Sequence, residues 1–172
     1  IVYGSTKNIH SSNWKFFKKN FPLTKFLSTK EIFKNKDIDR IISCLPIDEQ
    51  TKYCKKLLSS KKPILIEKPL HFNSKELEKI FIQKNIFLKN KAVAYNRRNY
   101  GVVNIVKNKI KKNKIKSVKI NISENYSALK KKYKKKNNKI FLHTGSSSHI
   151  IDLSFFLFGD LNIINKWVFK EK

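Results

Sequence analysis

The sequence predicts an α/β fold built on a parallel sheet. Two observations carry this. The runs Ile41-Ile42-Ser43-Cys44-Leu45 and Ile64-Leu65-Ile66 are short and near-continuously apolar, the pattern of strands buried on both faces of a parallel sheet. Such runs also alternate with stretches of helical spacing through short connections, as α/β sheets require.

Taken in order, Ile1-Val2-Tyr3 is the first expected strand, ended by Gly4-Ser5. Ser11 to Asn20 reads as a helix. Trp14, Phe17 and Phe21 recur at helical spacing, Ser11 or Ser12 can cap it, and Pro22 stops it. Lys25 to Leu27 offers a short strand, and Ser28-Thr29-Lys30-Glu31 opens a short helix over Glu31 to Phe33. The strand within Ile38 to Leu45 ends at Pro46. Asp48 to Ser59 is then helical, with Tyr53, Leu57 and Leu58 on one side. Lys61-Lys62-Pro63 turns the chain into Ile64–Ile66. Asn73-Ser74-Lys75-Glu76 caps a helix whose apolar face carries Leu77, Ile80 and Phe81. Ala92 to Tyr95 is the last strand of this series.

Beyond it the pattern changes. Tyr100 to Lys112 suits a helix with Val103, Val106 and Ile110 inward. Ile115 to Ser123 alternates apolar and polar residues, as a strand with one wet face does. Lys130 to Lys139 reads as a solvated basic loop, and Ile140-Phe141-Leu142 is short and apolar. Gly145-Ser146-Ser147-Ser148 leads into a helix from His149 to Phe158, closed by Gly159, and Asn162 to Phe169 suits another strand.

At about 100–200 residues per domain, 172 residues make one ordinary domain or two small ones. A hydrophobic content of 40%, with 13 Phe, supports a real core despite a net charge of +27. Of the 39 basic residues all but Arg40, Arg97 and Arg98 are Lys. Abundant Lys, Asn, Ile and Phe together suit an AT-rich coding sequence; an anionic partner would usually be met with more Arg. No apolar run approaches the ~18 residues of a membrane span, and no signal peptide is visible. Cys44 and Cys54 do not make a disulfide framework, which suits a reducing compartment. Methionine is absent and Ile1 opens inside an expected strand, so the chain reads as a fragment or a trimmed product.

Ligands of parallel α/β sheets sit beyond the C-terminal ends of the strands. Three such ends carry unusual chemistry: Leu45-Pro46, Glu67-Lys68-Pro69 and Asn96-Arg97-Arg98. A lysine in an X-Pro turn beside a carboxylate is not a typical solvated lysine. His149 follows a run of serines at a helix start, where the free backbone N–H groups and the positive dipole end oppose protonation. A neutral imidazole there is a usable general base, or equally a histidine that caps or packs under its helix. Asp152 lies one turn on. His143, His149 and Asp152 would also allow a metal, but their spacing is unspecific and no fourth ligand is apparent, so no metal is assigned. His10 and His71 read as ordinary surface histidines.

In their order along the chain, Ile38 to Pro46, Pro63-Ile64-Leu65-Ile66-Glu67-Lys68-Pro69-Leu70, Ala94-Tyr95-Asn96-Arg97-Arg98, and Ser148-His149-Ile150-Ile151-Asp152-Leu153 before Phe156-Leu157-Phe158-Gly159 resemble the Gfo/Idh/MocA family. That group is named for glucose–fructose oxidoreductase and inositol dehydrogenase. The resemblance implies an NAD(P)-dependent oxidoreductase acting on sugars, sugar nucleotides or cyclitols. It implies an incomplete Rossmann domain over residues 1–98. Part of an α+β C-terminal substrate and oligomerisation domain follows over 99–172, with an open, mainly antiparallel sheet. By position, Lys68 matches the active-site lysine that touches substrate hydroxyl and cofactor, and His149 the catalytic histidine. Tyr95, Arg97 and Asp152 fall on the substrate side, and Leu45, Pro46, Glu67, Pro69 and Asn96 on the cofactor side. A cytoplasmic homo-oligomer with a small-molecule substrate is implied as well.

Three departures qualify the resemblance. Many members carry Asp four residues before the histidine, where this chain has Gly145. The Gly-rich phosphate turn is not found: Gly4-Ser5-Thr6-Lys7 lacks the second and third glycines and lies too close to Pro46. Ile1-Val2-Tyr3 therefore aligns with the family's second strand. The acidic ribose-binding residue expected at its end gives way to Ser5, Thr6 and Lys7, a cluster that suits the 2′-phosphate of NADP better than NAD. The chain also ends before the remaining strands of the second domain. Weak cofactor binding, or none, is the expectation for these residues alone.

A lysine near its ordinary pKa of ~10.4 is a poor base at neutral pH. The resemblance is therefore best read with Lys68 charged, stabilising an alkoxide, and His149 taking the proton across a shared cleft. The competing class is a polyanion binder that uses Lys109 to Lys119 and Lys130 to Lys139, with Tyr126 and Tyr133 as stacking residues. No nucleic-acid motif accompanies those runs. A non-catalytic relative is the third reading.

Overall fold

A computed structural model of the chain describes residues 2–113, 115–123 and 147–160, with 125, 127, 162, 164, 165 and 167. They fall into two compact units, Ile1–Ala92 and Val93–Lys172.

The first unit runs β1 (Tyr3–Gly4), α1 (Ser12–Asn20), β2 (Lys25–Phe26), α2 (Thr29–Lys34), β3 (Ile41–Ser43), α3 (Ile47–Ser59), β4 (Ile64–Ile66), α4 (Ser74–Phe81) and β5 (Lys91–Val93). β1 and β2 are parallel, with Tyr3 opposite Lys25. β3 and β4 are parallel, with Ile41 opposite Ile64 and Ser43 opposite Ile66, in a sheet of order β3-β4-β5. The helices begin where the sequence places caps. The Ser11 hydroxyl accepts from the Trp14 N–H at 3.2 Å, Ser28 and Glu31 form a reciprocal capping box, and Asn73 accepts from Lys75 and Glu76.

Alternation along a strand sends neighbouring side chains to opposite faces. Ile64 and Ile66 turn toward α3 and are buried among Cys54, Leu57 and Leu58, flanked by Phe33, Leu77 and Ile80. Each fully buried aliphatic side chain contributes about 1.5–3 kcal/mol. Ile42 and Leu65 turn the other way and remain 71% and 41% exposed. Among the described residues this sheet is thus covered on one face, not on both as its apolar runs suggest. Lys56 extends along the same core and sets its ammonium 4.7 Å from the centre of the Phe33 ring.

The aromatic stripe of α1 packs on β1 and β2. Trp14 stacks on Phe17 at 5.6 Å and meets Phe26 edge-on at 5.9 Å. A Cβ on Gly4 would lie 2.6 Å from Cη2 of Trp14, so the missing side chain of Gly4 makes room for the indole.

In the second unit β5 stops at Val93, short of the expected Tyr95. The Tyr95 N–H bonds back to the Val93 carbonyl at 2.7 Å and turns the chain into a 3-10 turn over Asn96–Asn99. Among the described residues two helices follow, α5 (Gly101–Lys112) and α6 (Ser148–Phe158), and Gly159 closes α6 at φ +82°, the left-handed conformation that glycine adopts freely. On α5 Val103 is buried, whereas Val106, expected inward, is exposed. Residues 115–123 form no strand despite their alternation, and Ile115, Val118, Ile120 and Ile122 are all exposed. Alternation makes a strand only where a partner strand is present to pair with it. Described residues 162, 164, 165 and 167 form no strand either. The expected antiparallel sheet is therefore not found among the described residues. The expectations for Lys130–Lys139, Ile140–Leu142, His143, Gly145, Tyr126 and Tyr133 lie outside them.

Candidate active site

In the first unit the ends of β3 and β4 are joined by a backbone hydrogen bond, and Lys7 beyond β1 reaches α3, the helix that follows β3. Beyond β1, Ser5 shares a hydrogen bond with Thr29 at 3.2 Å, Thr6 receives the Asn8 N–H at 3.2 Å, and Lys7 forms an ion pair with Glu49 in the first turn of α3. That bond raises the Lys7 pKa, and the hydrogen bonds from Lys7 and then Lys52 lower that of Glu49. Beyond β3, half-buried Leu45 leads to exposed Pro46, whose carbonyl accepts the Gln50 N–H at 2.8 Å and so starts α3.

Beyond β4 comes the Glu67-Lys68-Pro69 corner. The Glu67 N–H bonds to the Ser43 carbonyl at 2.9 Å, which ties the corner to β3, and the Lys68–Pro69 peptide is cis. Glu67 is exposed; Lys68 and Pro69 are half-buried. The side-chain amide of Gln50 donates to the Glu67 carbonyl and, at 2.7 Å, to the Pro69 carbonyl. Gln50 is 1% exposed. Its sequence signal is its place with Cys54, Leu57 and Leu58 at helical spacing, a polar residue on an apolar stripe. His71 was read as a surface residue, yet its side chain is buried and its Nδ1 accepts from the Asn73 N–H at 3.0 Å.

The second unit gathers Tyr95, Arg98, His149 and Asp152. The Tyr95 and His149 rings meet edge-on, with centres 5.9 Å apart. Burial first, then the Asp152 charge, pushes the Tyr95 phenol up, while a hydrogen bond with Ser148 draws it down. Asp152, expected to face substrate, instead gives both carboxylate oxygens to Arg98. Nε donates at 2.7 Å to one and the terminal guanidinium nitrogen donates to the other. The Asp152 side chain is only 10% exposed, and a fork-to-carboxylate pair is the strongest arrangement available to it. The sequence reading placed Arg97 at the site; it is half-buried in the 3-10 turn, next to exposed Asn96, and the pairing falls to Arg98. The guanidinium of Arg98 also lies 5.1 Å from the centre of the Phe156 ring, with Lys107 at 3.7 Å from the same ring.

Ligands of parallel α/β sheets sit beyond the carboxyl ends of the strands, where the Lys68 corner stands. Residues 7–84 fit the model of the Gfo/Idh/MocA oxidoreductases, described as having an NAD-binding Rossmann fold. Solved structures agree on the fold. One, from Sinorhizobium meliloti and described as a myo-inositol dehydrogenase, superposes with a TM-score of 0.68 at 18% identity, over 94% of this chain and 48% of its own. A Lactobacillus casei myo-inositol dehydrogenase in complex with NAD(H) and myo-inositol gives 0.63 at 18%, over 91% and 46%. The WlbA dehydrogenase of Bordetella pertussis, in complex with NADH and UDP-GlcNAcA, gives 0.65 at 13%, over 92% and 47%. The chain thus spans about half the length of the solved structures it matches. No curated protein matches it by sequence.

Proposed function

We propose that this chain belongs to an NAD(P)-dependent dehydrogenase that oxidises a hydroxyl of a sugar, sugar nucleotide or cyclitol, and that Lys68 and His149 carry the chemistry. The observation that supports it most is the Lys68 corner itself, a half-buried lysine at a strand end of a family-matched sheet, held by hydrogen bonds on both sides. A bound nicotinamide would supply the acceptor for the hydride that leaves the carbinol carbon. As that C–H bond breaks, Lys68 as a cation stabilises the negative charge growing on the oxygen, and His149 takes the hydroxyl proton. Tyr95 and Arg97 are the proposed substrate contacts. Asp152 acts there through Arg98.

The residues beyond β1 suit the nucleoside part of the cofactor, because the segment Ser5-Thr6-Lys7 offers two hydroxyls and an ammonium group there. Gly4 does not fit a pyrophosphate turn, because Trp14 fills the space over it. Leu45, Pro46, Glu67, Pro69 and Asn96 are proposed to line the nicotinamide side. NADP is proposed over NAD, with Lys7 exchanging Glu49 for the 2′-phosphate; Lys7→Ala should then erase the preference in a binding titration. Among the described residues no helix is long and apolar enough to cross a membrane. Two free cysteines suit the cytoplasm, and a homo-oligomer is the proposed assembly.

The decisive experiment is Lys68→Ala in an enzyme preparation that turns over. Loss of a preorganised charge at the reacting oxygen should lower kcat about 10²- to 10³-fold. Retention of most of the rate would remove Lys68 from the mechanism.

A further inference from the structure

We propose that Gln50 is the positioning residue for Lys68: from α3, its side-chain amide grips the carbonyls on either side of that lysine and sets where the side chain leaves the sheet. Gln50 is buried on the stripe that also carries Cys54, Leu57 and Leu58. A leucine there would serve the core better, because an amide in an apolar layer must find partners or lose its hydration uncompensated. Its nitrogen finds two, the carbonyl of Glu67 before Lys68 and the carbonyl of Pro69 after it. One amide has two N–H bonds, so each carbonyl receives one. The reverse orientation would press the amide oxygen against two carbonyl oxygens. The donor end is therefore fixed, and the oxygen is left buried without a hydrogen-bond partner among the described residues. An orphaned oxygen is tolerated here together with two hydrogen bonds to one three-residue corner, so the residue serves that corner rather than the packing of α3.

Gln50 also sits one turn into α3, with its own N–H on the Pro46 carbonyl. It therefore relates the end of β3 to the end of β4 at the corner where Lys68 emerges. The catalytic role of Lys68 rests on the function proposed above; the grip on its corner does not.

The test needs no turnover. The 172-residue chain is acylated briefly with an N-hydroxysuccinimide acetate, and each lysine is read by peptide mass spectrometry, with exposed Lys36 and Lys84 as internal references. Gln50→Met keeps the length and removes both donors. The relative rate at Lys68 should change several-fold while the references hold, and Gln50→His, which restores an N–H donor, should return it toward the original value. A folded Gln50→Met protein with unchanged Lys68 reactivity overturns the proposal, as does a uniform change at all lysines, which marks Gln50 as a packing residue. If Gln50→Met fails to fold, folded Gln50→His decides alone: the original Lys68 rate supports the grip and a displaced one refutes it. A chain that passes this test and yet shows no cofactor binding faults only the dehydrogenase reading.

Discussion

The two units are held by different means. Ile1–Ala92 has a closed apolar cluster in which Cys54, Leu57, Leu58, Ile64 and Ile66 are all buried. In Val93–Lys172, Val103 is the one buried hydrophobic side chain among the described residues. The described residues of that unit are joined by a polar and aromatic knot: Arg98 on Asp152, both Arg98 and Lys107 on Phe156, and Tyr95 on His149. Burial is non-directional and tolerates small shifts, whereas a bidentate pair fixes orientation to a fraction of an ångström. The first unit is thus built as a platform, and the second as an oriented arrangement of charged and aromatic groups around His149.

That contrast can be broken in four ways. Leu58→Ala should have the largest effect, costing the first unit about 2–5 kcal/mol in denaturant unfolding through the cavity it leaves. A loss well below that would mean the cluster repacks and is no platform. Gly4→Ala should cost the same unit about 1–3 kcal/mol, because the new methyl meets the Trp14 ring; a neutral result would show that the indole is free to move. Asp152→Asn should cost the second unit about 1–3 kcal/mol. The figure is kept low because Arg98 is 42% exposed and water can take over part of its solvation. Near-UV circular dichroism should then lose the Tyr95 signal, and if that signal survives, the pair does not orient the rings.

The smallest effect is one of pH. Burial raises the Tyr95 pKa above its ordinary 10.0. Above pH 10 the unfolded chain releases a proton that the folded unit keeps, so this contribution is whole below pH 10 and is lost as pH climbs through the folded value. Tyr95→Phe should flatten the alkaline limb of the stability profile relative to the parent chain. An identical limb would place the phenol in water.

The same contrast explains what the sequence could and could not reveal. The strands at Ile41 and Ile64, the caps at Ser11, Ser28 and Asn73, and the Gly159 stop were legible because each is a local signal whose physics acts within one turn or one run. The Lys68 corner was legible for the same reason, since Glu-Lys-Pro after an apolar run is contiguous. The pairing of Asp152 was not legible, because its partner Arg98 stands 54 residues away and nothing local marks a carboxylate that meets a guanidinium. Gln50 was missed although it left a mark, a polar side chain at helical spacing among apolar ones. The strand expected at 115–123 fails for the complementary reason, because pairing is a property of two segments and alternation of only one.

The cations seated on rings bear on a shortage in the composition. With 39 basic residues and 12 acidic ones, most ammonium groups can have no carboxylate of their own. Lys56 over Phe33, and Lys107 with Arg98 over Phe156, use the electron-rich faces of hydrocarbons as counter-anions instead. A benzene ring has no proton to gain. The Lys56 seat on Phe33 should therefore stay in place in acid, where every Asp and Glu of the chain has been neutralised and the crowding of positive charge is at its worst.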